Sequence, residues 1–362
     1  GCFIGKNLCA TLEQDQDLEI IRYDDNNKIE ELAGFIAQAD FIFHLAGVNR
    51  PQKIEEFAEG NQKLTEVLFQ TLKQTGRKTP VVITSSMQAV LDNPYGVSKK
   101  AAEEIAFEYS KETGVPVYVY RLPNVFGKWS RPNYNSVVAT FCHNIARGLP
   151  IQINDPAKKI TLVYIDDVVR ELMGAMDGQA KSDEGGFCYV PRTYKVTLRK
   201  LAETINEFAK SRKNLTIPNF EDDFKESLYA TYTSYLPEFE FGYNLEMKHD
   251  NRGWLAEFVK SREAGQIFIS RTKPGITRGN HWHHTKTEKF LVVEGEAIIK
   301  FRKIGSEKTI EYKVSGDELK VVDIPTGYTH SITNIGKRDL ITLFWADRIF
   351  DPEKTDTFYL EV

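Results

Sequence analysis

Four of the chain's seven histidines are grouped with a glutamate in a pattern typical of a metal site. His281 and His283 alternate on a strand-like segment, so both imidazoles would point to one face, while Glu288 and His330 lie on later segments. Mixed imidazole and carboxylate ligands suit zinc, iron, nickel or manganese, and zinc is our first choice. The sequence predicts a divalent-metal site of His281, His283, Glu288 and His330, with His284 competing for the position of His283.

Tyr95 and Lys99 have a Y-x-x-x-K spacing, which places both side chains on one face of a helix. A nearby ammonium lowers the pKa of a tyrosine, so its hydroxyl can pass a proton to a carbonyl oxygen during hydride transfer. Ser85 and Ser86 end the preceding strand-like segment, and of the two we prefer Ser86 as a hydrogen-bond donor to the same carbonyl. The group predicts a ketone reductase with Tyr95 as its acid.

Gly1 and Gly5 are spaced like the last two glycines of a dinucleotide-binding loop that enters a helix, without the strand and first glycine that open such a loop. Backbone N–H groups and the positive end of the helix would then face a pyrophosphate. About 20 residues further on, where NAD enzymes carry an acid, the chain has Arg22, which would hold a 2′-phosphate. NADP(H) is therefore favoured, although Asp24 and Asp25 keep NAD open.

Small residues follow the segment FIF at 41–43. Leu45, Ala46 and Gly47 would let the chain pass close to a bound cofactor. Asp40, just before that segment, is a candidate adenine contact, with the capping of a turn as the alternative.

The elements that must position these residues change character along the chain. Up to about residue 236, β-branched and aromatic runs alternate with helical patterns: LEIIR (18–22), FIFHLAG (41–47), VVITSS (81–86) and VYVYR (117–121). This alternation predicts an α/β fold, a Rossmann-type doubly wound parallel sheet. After LPEFEFGY (236–243), short strand-like segments with Gly and Pro turns predict an all-β barrel or jelly roll. We expect a nucleotide-binding domain over 1–240 and a metal-binding domain over 241–362.

Composition narrows the class of partner. The 362 residues carry a net charge of -4 without a block of like charges, which argues against nucleic acid and membrane surfaces and favours a small molecule. The 4 cysteines lack a C-x-x-C spacing, which suits a reducing compartment. No apolar run approaches the roughly 20 residues that span a bilayer, and no secretory pattern opens the chain. We expect a cytoplasmic protein.

The order of these motifs resembles the extended short-chain dehydrogenase/reductase family. The Y-x-x-x-K segment follows a strand ending in Ser-Ser and precedes RLPNVFG (121–127), and the resemblance covers nearly all of 1–236. It implies a nicotinamide cofactor and often a nucleotide-sugar substrate. It also places a polar segment against the sugar diphosphate, with a solvated loop as the alternative; this segment comprises Asn124, Lys128, Arg131, Asn133 and Asn135. The connection from Ser86 to Tyr95 is shorter than is usual in the family.

The second half resembles the cupin family. Its first motif runs from Gly275 through the histidines to Gly295, and its second from Pro325 to Asn334. Further stretches make the whole chain similar to a family of capsular polysaccharide synthesis enzymes, in which a reductase is fused to a C-terminal cupin: FHLAGVNRP (43–51), DNPYG (92–96), KWSRPNYNSV (128–137), KPGITRGNHWHHTK (273–286) and FYLEV (358–362).

That resemblance implies a bifunctional enzyme acting on a UDP-activated 4-keto amino sugar. The cupin would epimerise carbon 3 of a UDP-2-acetamido-2,6-dideoxy-hexos-4-ulose. The reductase would then reduce the 4-ketone with NADPH to UDP-2-acetamido-2,6-dideoxy-L-talose, a precursor of UDP-N-acetyl-L-fucosamine.

The group that moves the carbon 3 proton is not identified by the resemblance. Lys286, Lys289, His284 and Tyr328 lie near the metal motifs, and Lys286 is ranked first. The alternative function is a one-step reductase whose cupin is structural, sugar-sensing or dimerising. We also expect a homodimer, since cupin barrels commonly pair through sheet edges and two-fold dimers are the commonest soluble oligomers.

Overall fold

A computed structural model describes residues 2–24, 26–51 and 53–362 of the chain. The chain divides into two compact units. Unit 1 comprises Gly1–Asn206 and Ser227–Pro237, and unit 2 comprises Glu207–Glu226 and Glu238–Val362. The functional division at 240/241 stays a prediction.

The helices lie mostly in unit 1. They are α1 (Phe3–Leu12), α2 (Leu32–Gln38), α3 (Glu55–Phe57), α4 (Leu64–Thr75), α5 (Pro94–Thr113), α6 (Val137–Ala146), α7 (Ile165–Met176), α8 (Leu198–Asn214) and α9 (Asp223–Thr233). A π-helical stretch, Ala58–Lys63, joins α3 to α4, and short 3-10 helices occur at Ile29–Glu31, Met87–Val90 and Glu238–Glu240. Among the described helices, none is both long and apolar enough to cross a membrane.

The strands of unit 1 form a parallel sheet and a smaller mixed one. They are β1 (Ile42–His44), β2 (Val81–Ser86), β3 (Val117–Leu122), β4 (Asn124–Phe126), β5 (Lys159–Tyr164), β6 (Phe187–Cys188) and β7 (Tyr194–Thr197). The parallel sheet has the order β1-β2-β3-β6, and the smaller sheet the order β4-β5-β7. Parallel order places the carboxyl ends of β1, β2 and β3 at one edge, where ligands bind in such folds.

Helices cover both faces of the parallel sheet. Val81 and Ile83 pack in a core cluster with residues of α4 and α5, whereas Val82 packs in another cluster with residues of α7. Because successive side chains of a strand point to opposite faces, both faces of β2 are covered, and its first three residues, Val81 to Ile83, are all apolar and buried. The predicted Rossmann-type sheet is confirmed.

One predicted strand is absent. Residues 18–22, LEIIR, are assigned no strand, and none of the described strands pairs with them. A strand requires a hydrogen-bonded neighbour, so apolar residues at the right spacing are not sufficient. The prediction of a strand at residues 18–22 was therefore wrong for the described structure.

Unit 2 contains two β-sheets. Its strands are β8 (Met247–Asp250), β9 (Gly253–Ser261), β10 (Gly265–Thr272), β11 (Thr277–Trp282), β12 (Glu288–Glu294), β13 (Glu296–Lys303), β14 (Thr309–Ser315), β15 (Val321–Ile324), β16 (Tyr328–Asn334), β17 (Leu340–Ala346) and β18 (Phe358–Tyr359). The sheets have the orders β15-β12-β17-β10-β9-β8 and β14-β13-β16-β11-β18. Alternate residues such as Phe290, Ile299 and Ile332 from both sheets form one core, which confirms the predicted all-β second half.

Candidate active sites

Tyr95 and Lys99 lie one turn apart near the start of α5, where the sequence specifies a helix N-terminus. The Asn93 side chain accepts from the Gly96 amide at 2.8 Å, and Pro94 occupies the first helical turn. The helix therefore begins at a fixed residue, and the spacing of Tyr95 and Lys99 turns both toward the carboxyl end of β2.

The Lys99 ammonium is buried beside that strand end. It donates to the Thr84 carbonyl at 3.2 Å. Burial lowers the pKa of Lys99 to about 8, while Glu103 and Cys2 act in the opposite direction. A buried cation with a lowered pKa, at the ligand-binding edge of a parallel sheet, is typical of a functional site.

Tyr95 differs in one respect from the expectation. Burial raises the pKa of the Tyr95 hydroxyl, and a hydrogen bond with Ser86 only partly offsets this. The expected lowering by Lys99 is not found, because desolvation of the phenolate has the larger effect. Tyr95 is thus held in the protonated form that an acid requires, and its ring packs against Phe57 with centroids 5.6 Å apart.

The two serines that end β2 have different surroundings. Ser85 is buried, and its hydroxyl donates to Glu103 at 2.6 Å. Arg121 donates to the same carboxylate at 2.9 and 2.6 Å, which makes a closed polar cluster. Ser86 faces Tyr95 and accepts from the Gln88 amide at 3.1 Å, so it caps the 3-10 helix that forms the short connection to α5.

Gly47 lies so close to α5 that an added side chain would crowd two polar groups. A Cβ there would lie 2.8 Å from Asn61 Oδ1 and 3.0 Å from Lys99 Nζ. The buried Asn61 bonds both backbone groups of Val48, at 2.9 and 3.1 Å, and donates to Ser98 at 3.0 Å. Asn61, which the sequence analysis missed, therefore connects the loop that carries Gly47 and Val48 to α5. Asn61 lies in the π-helical stretch, and such stretches are frequent at functional sites.

The start of α1 lies beside the same loop. A Cβ on Gly5 would come within 3.8 Å of Leu45, and the Gly5 amide donates to Cys2 at 3.3 Å. Ala46 and Gly47 are exposed, and exposed backbone beside the amino end of a helix is a setting that suits a pyrophosphate. Gly1, the other predicted loop glycine, lies outside the described residues.

Arg22 and Asp40 have protein partners. Arg22 forms an ion pair with Glu13 beside a groove of about 590 Å³, and both side chains are more than half exposed. Asp40 precedes β1 at the amino end of that strand and pairs with Arg77 at 3.1 Å. The structure thus places Asp40 at the opposite end of β1 from Leu45 and does not bring it to Lys99.

The predicted substrate segment comprises Asn124, which opens β4, and an anchored loop that follows this strand. Lys128 pairs with Asp166 at 2.5 Å, and the Tyr235 hydroxyl donates to the carbonyls of Gly127 and Ser130 at 3.3 and 2.5 Å. The other four predicted residues, Asn124, Arg131, Asn133 and Asn135, are exposed. The Asn124 side chain donates to the Thr161 carbonyl at 3.0 Å, and the Arg131 guanidinium lies over the Tyr134 ring. Asn133, with a φ of 55°, and Asn135 lie in a turn. Exposed amides and cations on a fixed loop suit a phosphate ligand.

Unit 2 brings together the four predicted metal ligands. One ligand atom from each of His281, His283, Glu288 and His330 lies within 4.8 Å of the others. The register of β11 against β16 shifts between Gly279 and His281, and this β-bulge places His281 opposite His330. His283 follows the end of β11, and Glu288 opens β12.

Burial and charge make this cluster suited to a divalent metal. His283, Glu288 and His330 are buried, and neither ring nitrogen of His330 forms a hydrogen bond within the part of the chain that the structure describes. Burial, with the neighbouring His330 and His283, lowers the pKa of His281 to about 4. Although burial acts to raise it, the neighbouring His283 and His330 imidazoles and the Lys286 side chain hold the pKa of Glu288 well below its usual range. Neutral imidazoles and an ionised carboxylate are the forms that bind a metal, so the residues fit one.

The four candidates for proton transfer differ in position. Lys286 Nζ lies 3.2 Å from Glu288, with only 13% of its side chain exposed. Lys289 pairs with Asp323 at the surface. His284 is exposed and packs against Trp282 with ring centroids 4.4 Å apart, so it does not compete with His283. Tyr328 packs at the edge of the core. Of the four candidates, Lys286 is therefore the one with a described side-chain contact to a metal-ligand candidate.

Asp356 supports this cluster, although the sequence analysis did not single it out. Its backbone carbonyl lies 2.7 Å from His283 Nδ1. Its carboxylate accepts from the backbone amides of His284, Thr285 and Lys286 at 2.9 to 3.0 Å. Its distance along the chain from these partners explains why no local pattern indicated it.

Comparison with known proteins identifies relatives of both units. Residues 2–189 match the NAD dependent epimerase/dehydratase family, and residues 248–358 match the polysaccharide biosynthesis C-terminal domain. A UDP-2-acetamido-2,6-beta-L-arabino-hexul-4-ose reductase of Pseudomonas aeruginosa is 47% identical over 360 residues, which is 99% of this chain and 96% of the relative.

Solved structures agree with these matches. The capsular polysaccharide assembling protein CapF of Staphylococcus aureus is 47% identical, with a TM-score of 0.93 over 99% of this chain and 97% of that one. A UDP-glucose 4-epimerase of Thermotoga maritima, 20% identical with a TM-score of 0.52, covers 64% of this chain and 95% of its own, and shows the fold alone.

Proposed function

Because the chain belongs to the CapF-like family, in which an epimerase/dehydratase domain precedes a polysaccharide biosynthesis C-terminal domain, we propose that it is a bifunctional enzyme of UDP-sugar metabolism. Unit 2 epimerises carbon 3 of a UDP-2-acetamido-2,6-dideoxy-hexos-4-ulose. Unit 1 then reduces the 4-ketone to give UDP-2-acetamido-2,6-dideoxy-L-talose, on the route to UDP-N-acetyl-L-fucosamine and capsular polysaccharide.

The reduction is supported by the geometry around Tyr95 and by the name of the Pseudomonas relative. The amino end of α1, the 45–47 loop and Arg22 would hold NADPH, which would supply a hydride to carbon 4 when bound. Tyr95, protonated at neutral pH, donates its proton to the ketone oxygen, and the Ser86 hydroxyl hydrogen-bonds the same oxygen. The Lys99 ammonium stabilises the phenolate that Tyr95 leaves behind.

The polar loop after β4 supports a nucleotide diphosphate as the carrier of the ketone. Lys128, Arg131 and the three asparagines offer charged and amide donors, and Tyr235 fixes the loop that carries them. Binding energy from this remote part of the substrate holds the ketone at Tyr95.

The epimerisation rests on the cluster of His281, His283, Glu288 and His330. These four residues would hold a divalent metal, with zinc as the first choice, which would supply positive charge to stabilise negative charge on the substrate's carbonyl oxygen. Lys286 removes the proton from carbon 3, which is acidic because it is adjacent to the ketone. A water molecule then protonates the opposite face of that carbon, the resulting hydroxide takes the proton held by Lys286, and the configuration inverts.

A second candidate is a one-step reductase whose unit 2 is structural, sugar-sensing or dimerising. The name of the Pseudomonas relative, which mentions only a reductase, favours this alternative. The two reactions act on adjacent carbons of one ketone, which favours the bifunctional enzyme. A cytoplasmic homodimer is part of the proposal; static light scattering at micromolar concentration would show a dimer, and a monomer would contradict it.

The deciding experiment is proton NMR of the UDP-4-keto sugar with the purified full chain in deuterated water, with and without NADPH. Deuterium should enter carbon 3 without NADPH, and the reduced talose should form only when NADPH is added. Product formation without any carbon 3 exchange would exclude the epimerase and leave the one-step reductase.

A further inference from the structure

The strongest unassigned feature of unit 2 is the position of Asp356, between β17 and β18. Asp356 has a φ of 44°, a left-handed conformation that costs energy for a residue with a side chain unless its surroundings enforce it. β18 pairs with β11 immediately afterwards, with Phe358 opposite Trp282. This short ladder holds Asp356 against the segment that follows His281.

The backbone of Asp356 acts on one metal-ligand candidate. Its carbonyl can only accept, so the 2.7 Å contact requires His283 Nδ1 to carry a proton. A neutral imidazole then has its lone pair on Nε2, which lies 3.3 Å from Glu288 Oε2, inside the cluster. The contact therefore selects the tautomer that can bind a metal through Nε2.

The side chain of Asp356 acts on the loop 284–286. Oδ1 accepts the His284 amide at 3.0 Å, and Oδ2 accepts the amides of Thr285 and Lys286, each at 2.9 Å, as well as the Thr285 hydroxyl. Three consecutive amides are thus tied to one carboxylate. Because Lys286 is the last of them, the carboxylate sets where the Lys286 side chain leaves the backbone.

We propose that Asp356 is a positioning residue for the carbon 3 reaction, in which its carbonyl orients His283 toward the metal and its carboxylate aims Lys286 at the substrate. This inference rests on the proposed epimerase function of unit 2. It assigns one residue two separable tasks, one carried by the backbone and one by the side chain.

Asp347 offers a matched control. It caps the next position of the same loop by accepting from the Thr287 amide and hydroxyl at 3.2 and 3.1 Å. Its described contacts include neither His283 nor Lys286. If the Asp356 carboxylate only stabilised the loop, removing either carboxylate should have a similar effect on carbon 3 exchange.

Asp356→Gly separates the two tasks in the full-length protein, because glycine adopts a φ of 44° readily and keeps the carbonyl while removing the carboxylate. We expect zinc affinity, measured by competition with a chromophoric chelator, to stay near wild type. Deuterium incorporation at carbon 3 in saturating zinc should fall about 10- to 100-fold, as is typical when a supporting contact is lost. Asp347→Ala should lower the melting temperature but leave the exchange rate nearly unchanged.

Asp356→Ala tests the backbone task, since alanine disfavours the left-handed conformation that presents the carbonyl. Zinc affinity should fall in addition to exchange, and ¹⁵N NMR of the metal-free protein should show that His283 loses its fixed Nδ1–H form. Wild-type exchange in Asp356→Gly, or an equal loss in Asp347→Ala, would overturn the proposal. If the wild-type chain shows no exchange at all, the epimerase function fails, while the tautomer and the zinc affinity still decide the role of the carbonyl.

Discussion

The Ser85 hydroxyl donates to the Glu103 carboxylate at 2.6 Å, which turns this serine away from the side of β2 where Ser86 meets Tyr95. Two adjacent serines thus have separate tasks, one in a buried cluster and one in the proposed active site.

Ser86→Ala should lower the turnover of 4-ketone reduction by about two orders of magnitude, since it removes a donor to the ketone oxygen. Ser85→Ala should instead lower the free energy of unfolding by about 1 to 3 kcal/mol, because it leaves a buried carboxylate oxygen with one partner fewer. NADPH oxidation rates and urea unfolding of both variants check this. The reverse pattern would assign the catalytic role to Ser85.

Tyr95→Phe removes the proton donor and leaves the unit 2 cluster intact. NADPH oxidation should fall by about two or more orders of magnitude, while deuterium exchange at carbon 3 survives. Loss of exchange in this variant would mean that one active site performs both reactions.

His330→Ala should have the converse effect. It removes a buried metal-ligand candidate whose ring nitrogens form no hydrogen bond among the described residues, so zinc binding and carbon 3 exchange should be strongly weakened. Reduction of a ketone that already has the correct configuration should continue, whereas turnover of the unepimerised substrate should collapse. Normal exchange in His330→Ala would separate the metal site from the epimerisation.

Arg22→Asp should reduce or reverse the preference for NADPH over NADH. The Arg22 and Glu13 side chains are 58% and 53% exposed, and an exposed ion pair contributes only about 0 to 1 kcal/mol, so a 2′-phosphate can take the place of Glu13. Glu13→Ala is the matched control and should keep or strengthen the preference. The measurement is the ratio of kcat/KM for the two cofactors, and an unchanged ratio in Arg22→Asp would exclude this role.

The lowered pKa of Lys99 predicts a pH dependence of stability. Its pKa is about 8 in the folded chain and about 10.4 in an unfolded one, so between these values the unfolded chain binds more protons and stability rises with pH. Below pH 8 both states are charged, and the cost of burying the cation is constant.

Lys99→Met should abolish the contribution of Lys99 to the pH dependence of stability. Between pH 7.5 and 9.5, the free energy of unfolding of unit 1 by urea should rise by about 2 kcal/mol more in the chain that retains Lys99. Cys2 and Glu103 both affect the pKa of Lys99. Both proteins should therefore carry Cys2→Ala and keep Glu103, so that the difference between their unfolding free energies comes from Lys99. Parallel pH profiles would show that the Lys99 cation is not buried at a cost.

The sequence predicted those features that depend on neighbouring residues. The strand 81–86 begins with three buried apolar residues, because helices cover both of its faces, and its predicted bounds agree with the structure. The four metal-ligand candidates also came from spacing, and strand register then brings them together. In α5, the cap at Asn93 and the spacing of Tyr95 and Lys99 are likewise written in consecutive residues.

What the sequence did not reveal depends on contacts between distant segments. Asn61 and Asp356 act through backbone groups of other loops, so their residue types carry no recognisable spacing. LEIIR has the composition of a strand, but a strand exists only with a neighbour. The two serines could not be ranked firmly because Glu103, which engages Ser85, is one helix away.

The hydrogen bonds of Asp356 also bear on how the protein is made. Ribosomes synthesise from the amino end, so all four metal-ligand candidates leave the exit tunnel before Asp356 does. A nascent chain can therefore expose two competing imidazole nitrogens on His283 until its carbonyl partner has been translated. Correct metal loading should consequently be a late event, completed only after the segment that carries Asp356 has docked against β11.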